Sequence, residues 1–368
     1  MALADSRAPI EAVEVAAYTV PTDAPESDGT LQSDATTLVL ARVRAGGAEG
    51  LGYGYADRAT ATLIHALLGP LLVGADALQT AARWLDLVRA IRNLGRPGIA
   101  SMAIAALDAA LWDLKGKLLG ASVALLLGPA RAAVPVYGSG GFTSYTDERL
   151  RSQLGGWAAQ GIGRVKMKVG REPARDPARV AAAREAVGPG VELFVDANGA
   201  YARKQALRLA QTFAALDVAW FEEPVSSDDL DGLRLLRDRA PAGMAIAAGE
   251  YGYDAPYFRR MLAAGAVDVL QADATRCAGI TGFLRAAALA EAFGVPLSSH
   301  CAPALHLAPC CCAPGVVHME WFHDHVRIES MLFDGAPRVV DGRVAPDLSR
   351  PGLGLAFKAK EAACYAVS

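Results

Sequence analysis

The chain has 368 residues, 52% of them hydrophobic and only 20% charged, with a formal net charge of −3. That length leaves room for two or three domains, or for one barrel of about 250 residues beside a smaller unit. The charge balance carries neither the basic footprint of a nucleic-acid binder nor a polybasic membrane patch, so neither partner is expected.

Met1 to Pro9 lacks a basic segment followed by an apolar run, so no signal peptide is read. No long unbroken apolar stretch occurs, because Arg, Asp or Gly interrupts the Ala-rich segments. A cytoplasmic protein is the expectation. Three of the six cysteines are consecutive, Cys310, Cys311 and Cys312. This is neither a disulfide framework nor a zinc spacing, and it reads as a buried helix rich in small residues.

The first elements alternate like strands, Ala12 to Tyr18 and Thr37 to Val43. The polar stretch from Pro21 to Gly29 between them predicts a hairpin with a long, mobile loop. Residues 59–125 have helical spacing, with a strong amphipathic helix expected over Ser101 to Leu119. The first 125 residues or so therefore read as an α+β unit.

After Val134 the pattern changes to short β-rich runs alternating with Ala/Leu/Arg helices. The runs cover 134–137, 164–168, 191–196, 219–222, 245–250, 267–273, 295–300 and 316–320. Eight βα repeats with short apolar strands imply a closed parallel (β/α)8 barrel of the TIM type, class α/β. Strands two to eight of this series end in turn on Lys168, Asp196, Glu222, Glu250, Asp273, His300 and Glu320. One charged strand end is usually a solvated boundary residue. Seven in succession converge on the C-terminal mouth, where such barrels do their chemistry.

Asp196, Glu222 and Glu250 fall on adjacent strands and would repel one another without a cation. Hard oxygen ligands suit Mg²⁺, and the absence of Cys or paired His on these strands argues against zinc. Lys166 and Lys168 are two apart on one strand and so enter the mouth together. Beside a second Lys and a dication, Lys168 is expected to have a lowered pKa and to act as a base. Asp273 and His300 end neighbouring strands, and a carboxylate that orients an imidazole makes a second general base. His306, His318, His323 and His325 lack such partners and read as structural. Glu320, if protonated, can donate a hydrogen bond to a developing enolate oxygen. Removing the proton next to a carboxylate leaves two negative oxygens, and Mg²⁺, Lys166 and Glu320 can stabilise that charge.

The motifs Val165-Lys166-Met167-Lys168, Val195-Asp196-Ala197-Asn198, Trp220-Phe221-Glu222-Glu223-Pro224, Ala248-Gly249-Glu250, Ala272-Asp273-Ala274, Ser298-Ser299-His300 and Met319-Glu320 together resemble the enolase superfamily. Within it they resemble the mandelate racemase/muconate lactonizing enzyme family, mandelate racemase subgroup. The helix Ala106 to Lys117 and the segment Pro351-Gly352-Leu353-Gly354 extend the likeness to nearly the whole chain. The resemblance implies an N-terminal α+β capping domain over 1–125, a barrel over 126–345, and a C-terminal segment, 346–368, that returns to the capping domain. It implies Mg²⁺ held by Asp196, Glu222 and Glu250, with Glu223 behind them, and base roles for Lys168 and for His300 with Asp273. The muconate-lactonizing and dipeptide-epimerase groups carry a Lys where this chain has Asp273. Arg276 departs from some relatives, which carry Lys there, and is expected to tune the His/Asp environment.

Two loops of the capping domain are expected to cover the substrate. The first, Thr22 to Asp34, contains Asp23, Glu26, Ser27, Asp28, Gln32, Ser33 and Asp34 and no aromatic residue. The second, Gly50 to Asp57, supplies Tyr53 and Tyr55. A polar lid favours dehydration of a sugar acid to a 2-keto-3-deoxy acid over racemisation or epimerisation of a 2-hydroxy acid. The partner expected is therefore a small carboxylate, and a homo-oligomer is expected as well. A catalytically silent metal-binding barrel is the alternative of another class, and the complete base set argues against it. A nucleotide oxidoreductase fits poorly, since neither Gly-rich stretch, Gly50 to Gly54 or Gly138 to Gly141, forms the phosphate-binding pattern that opens a βαβ unit.

Overall fold

A computed structural model describes residues 7–367. Of the stretch read above for a signal peptide, Met1 to Ser6 lies outside the described residues. No described helix is long and apolar enough to cross a membrane.

Three antiparallel strands, β1 (Ile10–Ser27), β2 (Gln32–Ala45) and β3 (Ala48–Tyr55), open the chain. The expected pairing is present, but the long mobile loop is not. β1 continues through the polar stretch as far as Ser27, and the chain reverses over Asp28 to Leu31. A register shift between Pro21 and Glu26 accommodates the two prolines, which cannot donate to a ladder. Asp28 Oδ1 closes the turn by accepting from the amides of Thr30 at 2.6 Å and Leu31 at 2.7 Å. The arm is then pinned to the barrel. The Thr143 amide donates to Ser27 O at 2.7 Å, and Ser144 Oγ donates to Pro25 O at 2.5 Å. Residues that read as solvated are thus anchors. Most of the second expected loop is likewise strand, β3.

The Ile99–Leu119 helix is less amphipathic than its sequence suggests, because it is buried on most sides between the sheet and the barrel. It rides on glycines. A Cβ at Gly50 would lie 2.2 Å from Ala110 O, and one at Gly52 would lie 2.2 Å from Ala106 O. Asp113 on this helix accepts from the amides of Leu51 and Leu353, both at 2.7 Å, and so ties the C-terminal stretch to the capping sheet. Farther along, a short C-terminal strand (Ala366–Val367) pairs with β1 in that same sheet.

The eight parallel strands are β4 (Val134–Gly140), β5 (Arg164–Lys168), β6 (Glu192–Asp196), β7 (Val218–Glu222), β8 (Ala245–Ala248), β9 (Val269–Ala272), β10 (Leu297–Ser299) and β11 (Val316–Phe322). They pair in order, and β11 closes on β4. This is the α/β TIM-type barrel with an N-terminal capping domain. Short strands buried on both faces explain the parallel sheet. Inside the barrel, Tyr137, Phe194, Trp220 and His318 pack as a plug, with Phe194 and Trp220 stacked at 5.1 Å. Residues at and just beyond the C-terminal ends of the strands, among them Lys168, Asn198, Glu250 and His300, face a cavity. The three cysteines end the buried Pro303–Cys312 helix, as the sequence suggests.

Candidate active site

Register places the charged strand ends at one level. Lys168 pairs with Asp196 across β5 and β6, and Asp196 pairs with Glu222 across β6 and β7. Asp196, Glu222 and Glu250 are all buried, and one oxygen from each lies within 4.8 Å of the others. Lys166 Nζ reaches Glu222 Oε1 at 2.6 Å and Glu320 Oε1 at 2.8 Å, while Trp220 Nε1 donates to Glu222 Oε2 at 2.9 Å. Burial, and then Asp196 beside it, pushes the Glu222 carboxyl up to about 8. Glu250 Oε2 and Glu223 Oε1 are buried without a hydrogen-bond partner. Orphaned carboxylate oxygens beside a raised carboxyl are what a hard divalent cation would relieve, so this donor set fits Mg²⁺.

Two expectations about charge turn on neighbouring groups. Lys168 is expected to have a lowered pKa beside a second Lys and a dication; among the protein groups alone, burial and Lys166 pull it down, while Asp196, whose Oδ2 lies 2.5 Å from Nζ, together with Glu250 and Glu222 holds it above its ordinary value. Glu320 is not a protonated donor. Despite burial, Lys166 holds its carboxyl well below the usual range, and its Oε2 accepts from the Cys301 amide at 2.7 Å. Glu320 therefore serves as the counter-ion that keeps Lys166 charged and placed.

On the facing side, His300 Nδ1 lies 2.8 Å from Asp273 Oδ2. Asp273 Oδ1 accepts from the amide and hydroxyl of Thr275, each at 2.7 Å. Burial opposes ionisation of Asp273, but the His300 hydrogen bond and charge hold it ionised and below the carboxylate range. The dyad leaves His300 Nε2 toward the cavity, 3.4 Å from Glu250 Oε2 and 3.3 Å from Cys301 Sγ. Burial lowers the imidazole pKa, yet Glu250 and the Asp273 hydrogen bond raise it above its ordinary value. Arg276 reaches Glu250 Oε1 at 3.3 Å and lies 3.8 Å from Asp273 Oδ2, so it opposes that rise. The residues after His300, Cys301 and Ala302, hold φ of 53° and 38°, left-handed values that mark a constrained turn at the site.

The other histidines are not without partners. His306 Nε2 accepts from the Ala274 amide at 2.7 Å, His318 Nδ1 lies 2.9 Å from Ser298 Oγ, and His323 Nε2 lies 3.1 Å from Asp23 Oδ2. His325 lines the cavity and stacks on Tyr55 with ring centroids 3.4 Å apart. Burial keeps it neutral, with its pKa lowered to about 3. Tyr53, by contrast, is core, and its hydroxyl donates to Glu329 Oε1 at 2.6 Å. Sequence reasoning gave no role to Cys301, Asn198, Phe142 or Phe322, which also line the cavity. Asn198 had a visible signal, its place in the Asp196 motif, and its Oδ1 accepts from Lys168 Nζ at 3.1 Å. The cavity has a volume of about 230 Å³ and lies between the barrel mouth and the capping-domain arm. It is smaller than the few hundred Å³ common for drug-sized ligands, so it suits a small molecule.

The dyad has a direct consequence. Asp273→Asn keeps the shape but removes the charge that orients and raises His300. Turnover should fall by at least about 10²-fold, and any limb of the pH–rate profile that reports His300 should move to lower pH. An unchanged profile would show that the dyad does not titrate in the reaction.

A family model for the mandelate racemase/muconate lactonizing enzyme N-terminal domain matches residues 12–128, and one described as enolase C-terminal domain-like matches 149–362. Among curated relatives, D-galactarolactone cycloisomerase of Agrobacterium fabrum is 36% identical over 66% of this chain and 65% of its own length, just under two thirds. The 3,6-anhydro-alpha-L-galactonate cycloisomerase of Streptomyces coelicolor is 34% identical over 94% of this chain and 96% of its own. L-talarate/galactarate dehydratase of Salmonella typhimurium is 33% identical over 83% of this chain and 78% of its own. Among solved structures, a mandelate racemase/muconate lactonizing enzyme-like protein from Rubrobacter xylanophilus superposes with a TM-score of 0.96 at 55% identity, covering 98% of this chain and 100% of that one. L-talarate dehydratase from Polaromonas, complexed with Mg and L-glucarate, gives 0.89 at 33% identity, covering 98% of each.

Proposed function

The chain belongs to the mandelate racemase/muconate lactonizing enzyme family of the enolase superfamily, and from that premise we propose that it dehydrates a sugar acid to a 2-keto-3-deoxy acid. The observation that supports this reading is that Lys168 on β5 lies 2.5 Å from Asp196 and His300 after β10 lies 3.4 Å from Glu250, so that two groups able to carry a proton adjoin different members of one carboxylate trio. Relatives that are dehydratases of sugar acids, and a neighbour that binds Mg and L-glucarate, support it.

Asp196, Glu222 and Glu250 would hold Mg²⁺, which would supply positive charge beside the substrate carboxylate. Lys166, fixed by Glu222 and Glu320, adds a second positive charge at the same place. One carrier takes the proton from the carbon next to the carboxylate, and its electron pair moves into the carboxylate as an enediolate. The other carrier gives a proton to the neighbouring hydroxyl, and the C–O bond breaks to release water. The enol left behind then tautomerises to the 2-keto acid. The raised pKa and Asp273 contact of His300 equip it to hold the proton given to the leaving group.

Racemisation is the second reading, because the same two carriers can move a proton from one face of the carbon to the other. The polar Glu26, Ser27, Asp28 and Ser33 on the cavity wall favour the hydroxylated substrate and hence dehydration. Incubation with Mg²⁺ and a library of aldonic and aldaric acids should yield a 2-keto acid from at least one of them. Loss of optical rotation from a 2-hydroxy acid, with no keto acid from any sugar acid, would replace dehydration by racemisation.

A further inference from the structure

The cavity is electrically lopsided. Its three cations, Lys168, Arg276 and His300, all stand at the barrel mouth and are engaged with Asp196, Glu250 and Asp273. The opposite wall, from the capping-domain arm, is Glu26, Ser27, Asp28, Leu31, Ser33 and Thr36, with no cation among them. Nearby basic groups are engaged with other residues. Arg149 pairs with Asp23 at 3.2 Å, His323 Nε2 lies 3.1 Å from Asp23 Oδ2, Arg327 pairs with Asp324 at 2.6 Å, and Arg171 donates to Gln32 Oε1 at 3.5 Å. Glu26 is 7% exposed, lines the cavity, and has its Oε1 buried with no hydrogen-bond partner. A buried polar atom on a ligand-sized cavity, left unsatisfied by the protein, awaits a partner from the ligand.

We propose that the substrate is a monocarboxylic sugar acid whose hydroxylated far end hydrogen-bonds to Glu26, and that acids with a second carboxylate at that end are rejected. This rests on the proposed α-proton chemistry, which fixes the reacting carboxylate at the barrel mouth and leaves the far end to the arm. A second carboxylate there would lose its water against Glu26, with Asp324 and Asp23 behind it, and the nearby basic groups Arg149, His323 and Arg327 are already held by those two aspartates. Acidic neighbours act on Glu26 itself: burial, and then Asp324 and Asp23, push its carboxyl up to about 8 against the weaker pull of Arg327 and Lys168. Near neutral pH it keeps a proton and can both donate to and accept from a sugar hydroxyl. Asp28, whose Oδ1 accepts from the Thr30 and Leu31 amides, adds a further carboxylate to this wall. Leu31, Phe142 and Phe322 bound the rest of the cavity and suit the C–H faces of the sugar chain.

The test uses matched pairs that differ only at the far end: gluconate with glucarate, galactonate with galactarate, arabinonate with arabinarate. Binding to the Mg²⁺-loaded enzyme is measured by calorimetry beside keto-acid formation. The best-bound pair should favour the aldonate by at least about tenfold. Glu26→Leu should weaken that aldonate by about tenfold. Glu26→Gln, which keeps a neutral donor and acceptor, should hold affinity and preference. Glu26→Arg should narrow or reverse the preference by strengthening the aldarate. A wild-type enzyme that binds the aldarate as tightly as its aldonate overturns the proposal, and so does a folded Glu26→Leu variant with unchanged aldonate affinity. Selective aldonate binding without keto acid or α-proton exchange supports the charge rule and instead sinks the dehydration reading.

Discussion

Replacing either proton carrier should cost about 10²- to 10⁴-fold in kcat, and the two losses should differ in kind. If Lys168 is the base, Lys168→Ala loses both keto-acid formation and exchange of the α-proton with deuterated solvent. His300→Asn in that case loses the product but keeps the exchange, because the proton still leaves and returns on the Lys168 side while the hydroxyl lacks its acid. The reverse pattern assigns the base to His300. The geometry makes the variants interpretable. Asn can still reach toward Asp273 without a titratable proton, and Ala at 168 removes the Nζ that lies 2.5 Å from Asp196 Oδ2, leaving Lys166 Nζ at 3.7 Å. The Lys168 variant therefore perturbs the carboxylate trio as well, and its rate loss should be measured at saturating Mg²⁺. Wild-type rates in both variants would remove Lys168 and His300 from the reaction.

The barrel was legible because its signal repeats. Eight short apolar runs, seven of them ending on a titratable residue, leave few alternatives, and the structure brings Lys166, Lys168, Asp196, Glu222, Glu250, Asp273, His300 and Glu320 to one mouth. Protonation states were not legible. Whether Glu320 is a donor or a counter-ion depends on Lys166 Nζ standing 2.8 Å away, and the sequence lists residues, not distances. Residues 21–29 misled for a related reason. Pro, Asp and Ser are as common in solvated loops as in an arm whose hydrogen bonds run to a distant element, here Ser27 and Pro25 to Thr143 and Ser144. The same blindness covered Tyr53 and Tyr55, two residues apart on β3. Both leave the same face of β3, with ring centroids 6.0 Å apart, and meet one helix a turn apart: Tyr53 reaches Glu329 in the core, while Tyr55 stacks on His325 at the cavity. Cys301 carried no signal at all, since its place beside His300 Nε2 follows from a left-handed turn that a non-glycine residue rarely adopts.

Magnesium should stabilise the protein as well as activate it, and the stabilisation should grow with pH. The carboxyls of Glu222 and Glu223 are raised above their ordinary values, by burial first and by neighbouring carboxylates after it. A raised acid holds a proton in the folded state that the unfolded chain has already released. Its contribution to stability is therefore present below about pH 4.5 and drains away as pH rises through the folded pKa, about 8 for Glu222. Asp196, Asp273 and Glu320 are shifted the other way and act only at lower pH, so they do not mask the effect. A divalent cation binds the ionised forms and offsets this loss. At a hundred times its Kd it adds about 2.7 kcal/mol, which is on the order of 5 °C in Tm for a domain larger than 150 residues. The Mg²⁺-induced rise in Tm should therefore be small at pH 5 and largest near pH 8. Glu250→Gln, which removes one of the three carboxylates, should abolish most of it along with activity. Chelation should remove turnover and readdition of Mg²⁺ should restore it. A rise in Tm that is equal at both pH values, or that survives Glu250→Gln, would place the cation elsewhere, and full turnover in chelated enzyme would show that the trio holds no catalytic metal.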